Sequence, residues 1–268
     1  MEKLISVAVM RASDAAEIAG GTDSKTLMYR AGLGLFQSWD WHGKIDIVTG
    51  SGNNAGDGYV LALLLRQHGI PCRIVRTSEK VSPDGGYFFA KCEERGIPVT
   101  DSVDFSHTDI LVDCLLGTGF RGELRPSMRH IVEQINQSGA AVLSVDINSG
   151  MKGDSGDGFC VRSDRTVSIG CLKYKHLLGM AQGKIGSLYN YDIGIPCKGS
   201  YLPLFTGDDR TPESWDFVPA ESFPQILDNF HIPAGEPAQR LQMLADSLRE
   251  KMQFFTVSDA DALPYAEL

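Results

Sequence analysis

Two hydrophobic rhythms alternate along the chain up to about residue 197. Leu27, Met28, Ala31 and Leu35 share one face at helical spacing, and Ser24 stands where a cap would begin the helix. Short apolar runs follow: Lys44 to Thr49, Pro71 to Arg76, Asp109 to Leu116, Ala140 to Asp146, Thr166 to Ile169 and Leu188 to Ile193. Their length and their polar or glycine boundaries predict strands. Between them, helices are predicted over Tyr59 to His68, over Ser82 to Arg95, and from Pro126 to near Gly139. Such alternation predicts an α/β fold with a mostly parallel sheet covered on both faces. Ligands of these sheets bind beyond the carboxyl ends of the strands. Polar, glycine-rich segments stand at three such ends: 50–58, 117–123 and 146–150.

The pattern breaks near Lys198. Proline, acidic and aromatic residues mix through Pro219, and Glu236 to Phe255 then reads as a helix with Leu241, Leu244, Leu248 and Met252 on one face. The segment from Val257 to Leu268 is acidic and reads as loose. The chain therefore divides into a domain over 1–198 and a short helical appendage over 199–268 that carries no chemical motif.

Composition narrows the function. Of 268 residues 43% are hydrophobic, enough for a buried core. Lys plus Arg number 25 against 34 Asp plus Glu, a net charge of −9, which argues against nonspecific binding to nucleic acid or anionic membranes. No apolar run approaches the ~18 residues of a membrane span, and the first residues lack a signal peptide's long apolar core. Six cysteines are scattered without a Cys-x-x-Cys pair, which suits reduced thiols in a cytoplasmic protein. No Lys-Ser/Thr follows the glycines of 50–58, so a P-loop is excluded, and no Gly-x-Ser-x-Gly elbow supports serine hydrolysis.

Candidate chemistry sits in the three loops. Gly50-x-Gly52-x-x-Ala55 after a strand fits a relaxed dinucleotide fingerprint, and Arg76 with Thr77 would suit a 2′-phosphate. Asn53, Asn54 and Asp57 do not belong to that fingerprint, and an acid beside a phosphate loop repels the ligand unless a cation or base intervenes. Asp113 lies inside an apolar strand, where a carboxylate must be paired or bound to a cation. Oxygen donors of Asn54, Asp113 and Ser149 can hold a hard cation; without His or Cys they do not suit zinc. Lys173 is a candidate to pair with Asp146, which ends an apolar strand, or to touch a phosphate. Each residue also has a plainer reading: Asn53 and Asp57 as loop or cap residues, Asp113 and Asp146 as caps or turns, Lys173 as a surface lysine.

Taken together, Leu27 to Gly32, Gly52 to Gly58, Val112 to Gly122 and Val145 to Gly150 resemble the YjeF N-terminal domain family, the NAD(P)H-hydrate epimerases. The resemblance covers roughly residues 4 to 197. It implies a Rossmann-like three-layer sandwich that interconverts the R and S forms of NADHX and NADPHX, upstream of a separate dehydratase. It implies substrate contacts at Asn53, Asn54, Ala55, Gly56 and Asp57, at Gly117, Thr118, Gly119, Phe120, Arg121, Gly122 and Glu123, and at Asp146. It implies a potassium ion at Asn54, Asp113 and Ser149, catalysis by Asp146 and Lys173, and a homodimer. Asn148 stands where the family usually has proline, Tyr29 where it has an acid, and Ala55 where glycine is common. Two other readings compete. One is a noncatalytic nucleotide- or RNA-binding dimerisation module of the same fold, which would not require Asn54, Asp113, Asp146, Ser149 and Lys173 together. The other is an ordinary NADP-dependent oxidoreductase, for which no hydride-transfer site is identifiable.

Overall fold

The computed structural model describes residues 2–152, 158–204, 231–233, 243, 247, 249–257, 265 and 268. The chain begins with β1 (Glu2–Ile5), α1 (Val7–Ala19) and α2 (Ser24–Gln37). Ser6 caps α1 by accepting the Val9 N–H, and Asp23 caps α2 by accepting that of Lys25, one residue ahead of the expected Ser24. There follow β2 (Ile45–Thr49), α3 (Asn53–Gln67), β3 (Cys72–Arg76), α4 (Pro83–Glu94), β4 (Val99–Thr100) and β5 (Ile110–Cys114). Next come α5 (Pro126–Gln137), β6 (Ala141–Val145), β7 (Ser163–Ile169), β8 (Leu172–Lys173), α6 (Tyr174–Ala181) and β9 (Ile185–Asp192). The described chain adds β10 (Leu202–Leu204) and β11 (Met252–Thr256).

Eight strands form one sheet in the order β11-β9-β7-β6-β5-β2-β3-β4, and every pairing in it is parallel. Period-two alternation sorts the strand residues between two layers of helix. Ile45, Ile47, Ile110, Val112 and Val145 pack with α2, α3 and α4 on one face; Val48, Leu111 and Val142 pack with Val132 and Ile135 of α5 on the other. From β2 the chain runs outward through β3 and β4, then crosses back to place β5 on the opposite side of β2. This reversal opens a crevice at the carboxyl ends of β2 and β5, the usual ligand position in such sheets.

The expected loop over 50–58 is mostly helix, because α3 starts at Asn53 rather than Tyr59. Gly56 and Gly58 look like turn residues but serve close packing: a Cβ on Gly56 would lie 2.4 Å from Met28 Sδ, and one on Gly58 2.7 Å from Cys114 Sγ. The other expected strands and helices of 24–193 lie within a few residues of their predicted bounds.

Six elements were not anticipated: β1, α1, β4, β8, α6 and β10. β1 pairs in parallel with β8 and antiparallel with β10, making a second, three-stranded sheet. In the tail, Leu241, Leu244 and Leu248 lie outside the described residues. The predicted helix is corrected at its end, where β11 extends the main sheet beside β9. Phe255 favours an extended strand because it packs against the neighbouring strand: its ring lies 4.8 Å from that of Tyr191 and 5.3 Å from that of Tyr189. No helix among the described residues is long and apolar enough to cross a membrane.

Candidate active site

A cavity of about 670 Å³ opens over the carboxyl ends of the central strands. α1 and α2 supply an apolar wall that includes Met10, Ile18, Leu27 and Met28. The start of α3 supplies Asn53, Asn54 and Asp57, the segment after β5 supplies Leu115 to Phe120, and Asp146 and Lys173 complete the lining from the sheet. The segments after β2 and β5 touch backbone to backbone. Gly50 N–H donates to Cys114 O at 3.3 Å, and a Cβ on Gly50 would lie 2.1 Å from Leu115 O, so only glycine fits.

Asp146 follows the last residue of β6 and adopts the left-handed conformation, with φ 59°. Among non-glycine residues Asp and Asn tolerate this best. Lys173 ends β8, is fully buried, and is not a surface lysine. Its ammonium donates to Asp146 Oδ1 at 2.6 Å, to Ile169 O at 2.6 Å and to Ser168 Oγ at 3.4 Å. Burial pushes the Asp146 carboxyl up, but the Lys173 charge and hydrogen bond more than offset it, and the net shift is below the usual range.

His176, in the first turn of α6, is fully buried against the same pair. Its Nδ1 accepts the Lys173 N–H at 3.1 Å, which assigns the ring proton to Nε2; that nitrogen donates to Asp146 O at 2.6 Å. Burial and the Lys173 charge push the imidazole down to about 3, so it is neutral at physiological pH.

The second constellation lies below the loops. Asp113 is fully buried. Its Oδ1 accepts Ser149 Oγ–H at 2.5 Å and Leu115 N–H at 3.3 Å, and its Oδ2 accepts Ser149 N–H at 2.9 Å and Ser144 Oγ–H at 3.0 Å. Burial still raises its carboxyl above the ordinary value. Asn54 Nδ2 donates to Leu116 O at 3.3 Å, and Ser149 Oγ lies 3.2 Å from the same carbonyl. Asn54 Oδ1 is buried without a hydrogen-bond partner among the described residues. An orphan amide oxygen beside a carbonyl, a hydroxyl and a buried carboxylate fits a hard, weakly polarising cation. Among the described residues no cluster of three His, Cys, Asp or Glu has metal-ligand geometry.

Asn148, between Asp146 and Ser149, is fully buried and fully bonded. Its Nδ2 lies 3.0 Å from Val161 O, 3.0 Å from Ser163 Oγ and 3.1 Å from Lys184 O, while its Oδ1 accepts Thr166 Oγ1–H at 2.6 Å. The side chain ties the 146–150 loop to β7 and to the residue before β9.

Of the residues expected at the substrate, Asn53, Asn54, Asp57, Gly117, Thr118, Gly119, Phe120 and Asp146 line the cavity. Ala55 and Gly56 are buried in the packing of α3, and Arg121, Gly122 and Glu123 are exposed outside the lining. Arg76 and Thr77 also fall outside it: Arg76 stacks 4.2 Å over the Phe89 ring and donates to Glu79 O at 2.9 Å. Sequence reasoning missed Arg11, Asp14 and His176, all on unanticipated helices. The available signal for α1 was Ser6 followed by Val7 and Met10 at helical spacing. Arg11 Nη2 donates to Thr118 O at 2.8 Å and ties α1 to the loop after β5. Burial raises the carboxyl of Asp57 well above its ordinary value, with the charges of Asp146 and Asp14 adding to it. All six cysteines are unpaired thiols, and burial raises Cys72, Cys92, Cys114, Cys160 and Cys171, which leaves them poor nucleophiles.

Comparison with known proteins bears on this geometry. A family model described as YjeF-related protein N-terminus matches residues 24–174. An NAD(P)H-hydrate epimerase of Lentilactobacillus buchneri is 34% identical over 185 residues, covering 65% of this chain and 86% of that protein. A bifunctional NAD(P)H-hydrate repair enzyme Nnr of Archaeoglobus fulgidus is 35% identical over 181 residues, and the match spans only 38% of its length. A crystal structure of the yeast protein ynu0 superposes with a TM-score of 0.57 at 22% identity, covering 65% of this chain and 83% of that one, and so shares the fold.

Proposed function

The chain belongs to the family of YjeF-related protein N-termini, and on that premise we propose that its cavity epimerises the hydrated reduced nicotinamide dinucleotides NADHX and NADPHX. The observation that carries this reading is the Asp146–Lys173 pair, buried at 2.6 Å in the lining of the crevice. A noncatalytic binding module leaves that pair without a role.

The epimeric carbon of the substrate bears a hydroxyl beside the ring nitrogen. Loss of the hydroxyl as water, with the nitrogen lone pair forming C=N, gives a planar iminium cation. Water then adds to either face. Asp146, ionised beside Lys173, stabilises that cation and takes the proton of the adding water. Lys173, held also by Ile169 O, fixes the carboxylate's direction. Burial raises the Asp57 carboxyl well above its ordinary value and so disfavours the charge that would repel the diphosphate. Asn54, Asp113 and Ser149 would hold a potassium ion, whose charge would offset substrate phosphate and bind the loops after β2, β5 and β6 together.

Bifunctional relatives carry the name of a repair enzyme, and this chain covers about a third of their length. We assign it the epimerase step, with a dehydratase as functional partner and a homodimer in a thiol-reducing compartment such as the cytoplasm. The test follows conversion of (R)-NADHX to the S form by chromatography, at fixed ionic strength with and without potassium. Acceleration over the no-enzyme baseline is expected. No acceleration with either NADHX or NADPHX, from folded protein, refutes the assignment.

A further inference from the structure

We propose that Asp14, on α1, is a second proton-transfer carboxylate of the site, delivering to the substrate hydroxyl the proton that Asp146 cannot supply. The proposal rests on the epimerase reading. Asp14 lines the same cavity as Asp146 and Lys173 but reaches it from a different element. It is half-buried, and among the described residues its carboxylate has no hydrogen bond or ion pair. A half-buried carboxylate left unpaired at the wall of a cavity has no packing role and is open to whatever the cavity holds. α1 is tied down just ahead of it: Arg11 bonds Thr118 O at 2.8 Å, and Ser13 Oγ accepts Lys198 N–H at 2.9 Å.

The charged groups facing Asp14 are Lys173 from β8, Asp146 after β6 and Asp57 from α3. Lys173 is committed to Asp146. Burial, opposed by the Lys173 charge and reinforced by that of Asp146, lifts the Asp14 carboxyl to about 6. The environment sets the three carboxyls apart: that of Asp146 is lowered, that of Asp57 is raised well above its ordinary value, and Asp14 exchanges its proton near neutral pH. In the reaction the Asp14 proton passes to the substrate hydroxyl, and the C–O bond breaks with its electron pair leaving on water. Nitrogen supplies the C=N bond. When water adds to the other face, the C=N pair returns to nitrogen and the surplus proton goes to Asp146. Transfer of that proton to Asp14 through cavity water restores the site.

The experiment measures NADHX epimerisation by wild type, Asp14→Asn and Asp14→Glu between pH 5.5 and 8.5, after thermal melts verify folding. Wild-type kcat should fall as pH rises through about 6, because the protonated acid is lost. Asp14→Asn should lower kcat on the order of 100-fold, leave KM within about twofold, and lack that pH-dependent fall. Asp14→Glu should recover part of the rate with a shifted profile. An active wild type alongside Asp14→Asn of equal rate and identical profile overturns this proposal alone. An inactive wild type overturns it together with the epimerase reading.

Discussion

His176 Nε2 lies 2.6 Å from the main-chain oxygen of Asp146, while the same ring accepts the N–H of Lys173. One neutral imidazole therefore fixes the backbone of both members of the buried pair. Replacing it by alanine leaves the Asp146 carbonyl and the Lys173 N–H without these partners. We expect His176→Ala to lower kcat on the order of 100-fold with little change in KM, as for a misplaced catalytic group. Steady-state epimerisation kinetics check this.

The same histidine makes stability depend on pH. Its folded value of about 3 lies below the ordinary imidazole value of 6.5, so the unfolded chain binds its proton first on acidification. The stability it contributes is present above pH 6.5 and declines as pH falls toward 3. Melting temperatures of wild type and His176→Gln should therefore differ most near pH 7 and converge toward pH 4. A constant difference contradicts the assignment of a neutral, buried ring.

Lys173→Met strands a buried carboxylate. The expected cost is about 3–5 kcal/mol, and Lys173→Met with Asp146→Asn should cost less than Lys173→Met alone. Denaturant titration of the two variants measures the coupling. Asp146→Ala should abolish epimerisation while the fold persists.

Asn148→Ala removes four hydrogen-bond contacts between the 146–150 loop and its surroundings. The buried groups left behind should cost about 2–4 kcal/mol. Asn148→Pro, which installs the residue expected from the family resemblance, should also destabilise this chain, because Thr166, Ser163 and Lys184 lose the same partner. Thermal or denaturant unfolding tests both.

The orphan Asn54 Oδ1 gives the potassium proposal a readout independent of catalysis. Exchanging choline chloride for potassium chloride at constant ionic strength should raise the wild-type melting temperature. Asn54→Leu should melt cooperatively and show no such rise.

Much of this was legible before any coordinates. Ile45, Ile47, Ile110 and Val112 announce the sheet by alternation and length, and the carboxylate inside β5 announces a buried polar centre. The Asp146–Lys173 pairing was one of three readings open to that lysine, beside a phosphate contact and a plain surface position. What failed to show was whatever depends on distant pairing. β8 is a two-residue strand, too short for periodicity, and exists because Ile5 pairs beside Lys173. α1 bears no motif, so Asp14 and Arg11 gave no signal that a cavity lay next to them. Phe255 reads as one end of a helix because its stacking partners, Tyr189 and Tyr191, are remote in sequence.

The pairing of Ile5 with Lys173 also sets when the site comes into being. A nascent chain halted before residue 173 has already emitted α1, the start of α3 and the segments after β5 and β6, yet holds no ammonium to pair with Asp146. The central parallel strands β2 to β6 can assemble earlier, since none of them needs β8. The charge pair thus becomes available only after the central strands have been synthesised, and a fragment ending short of β8 would keep β2 to β6 but lack the pair.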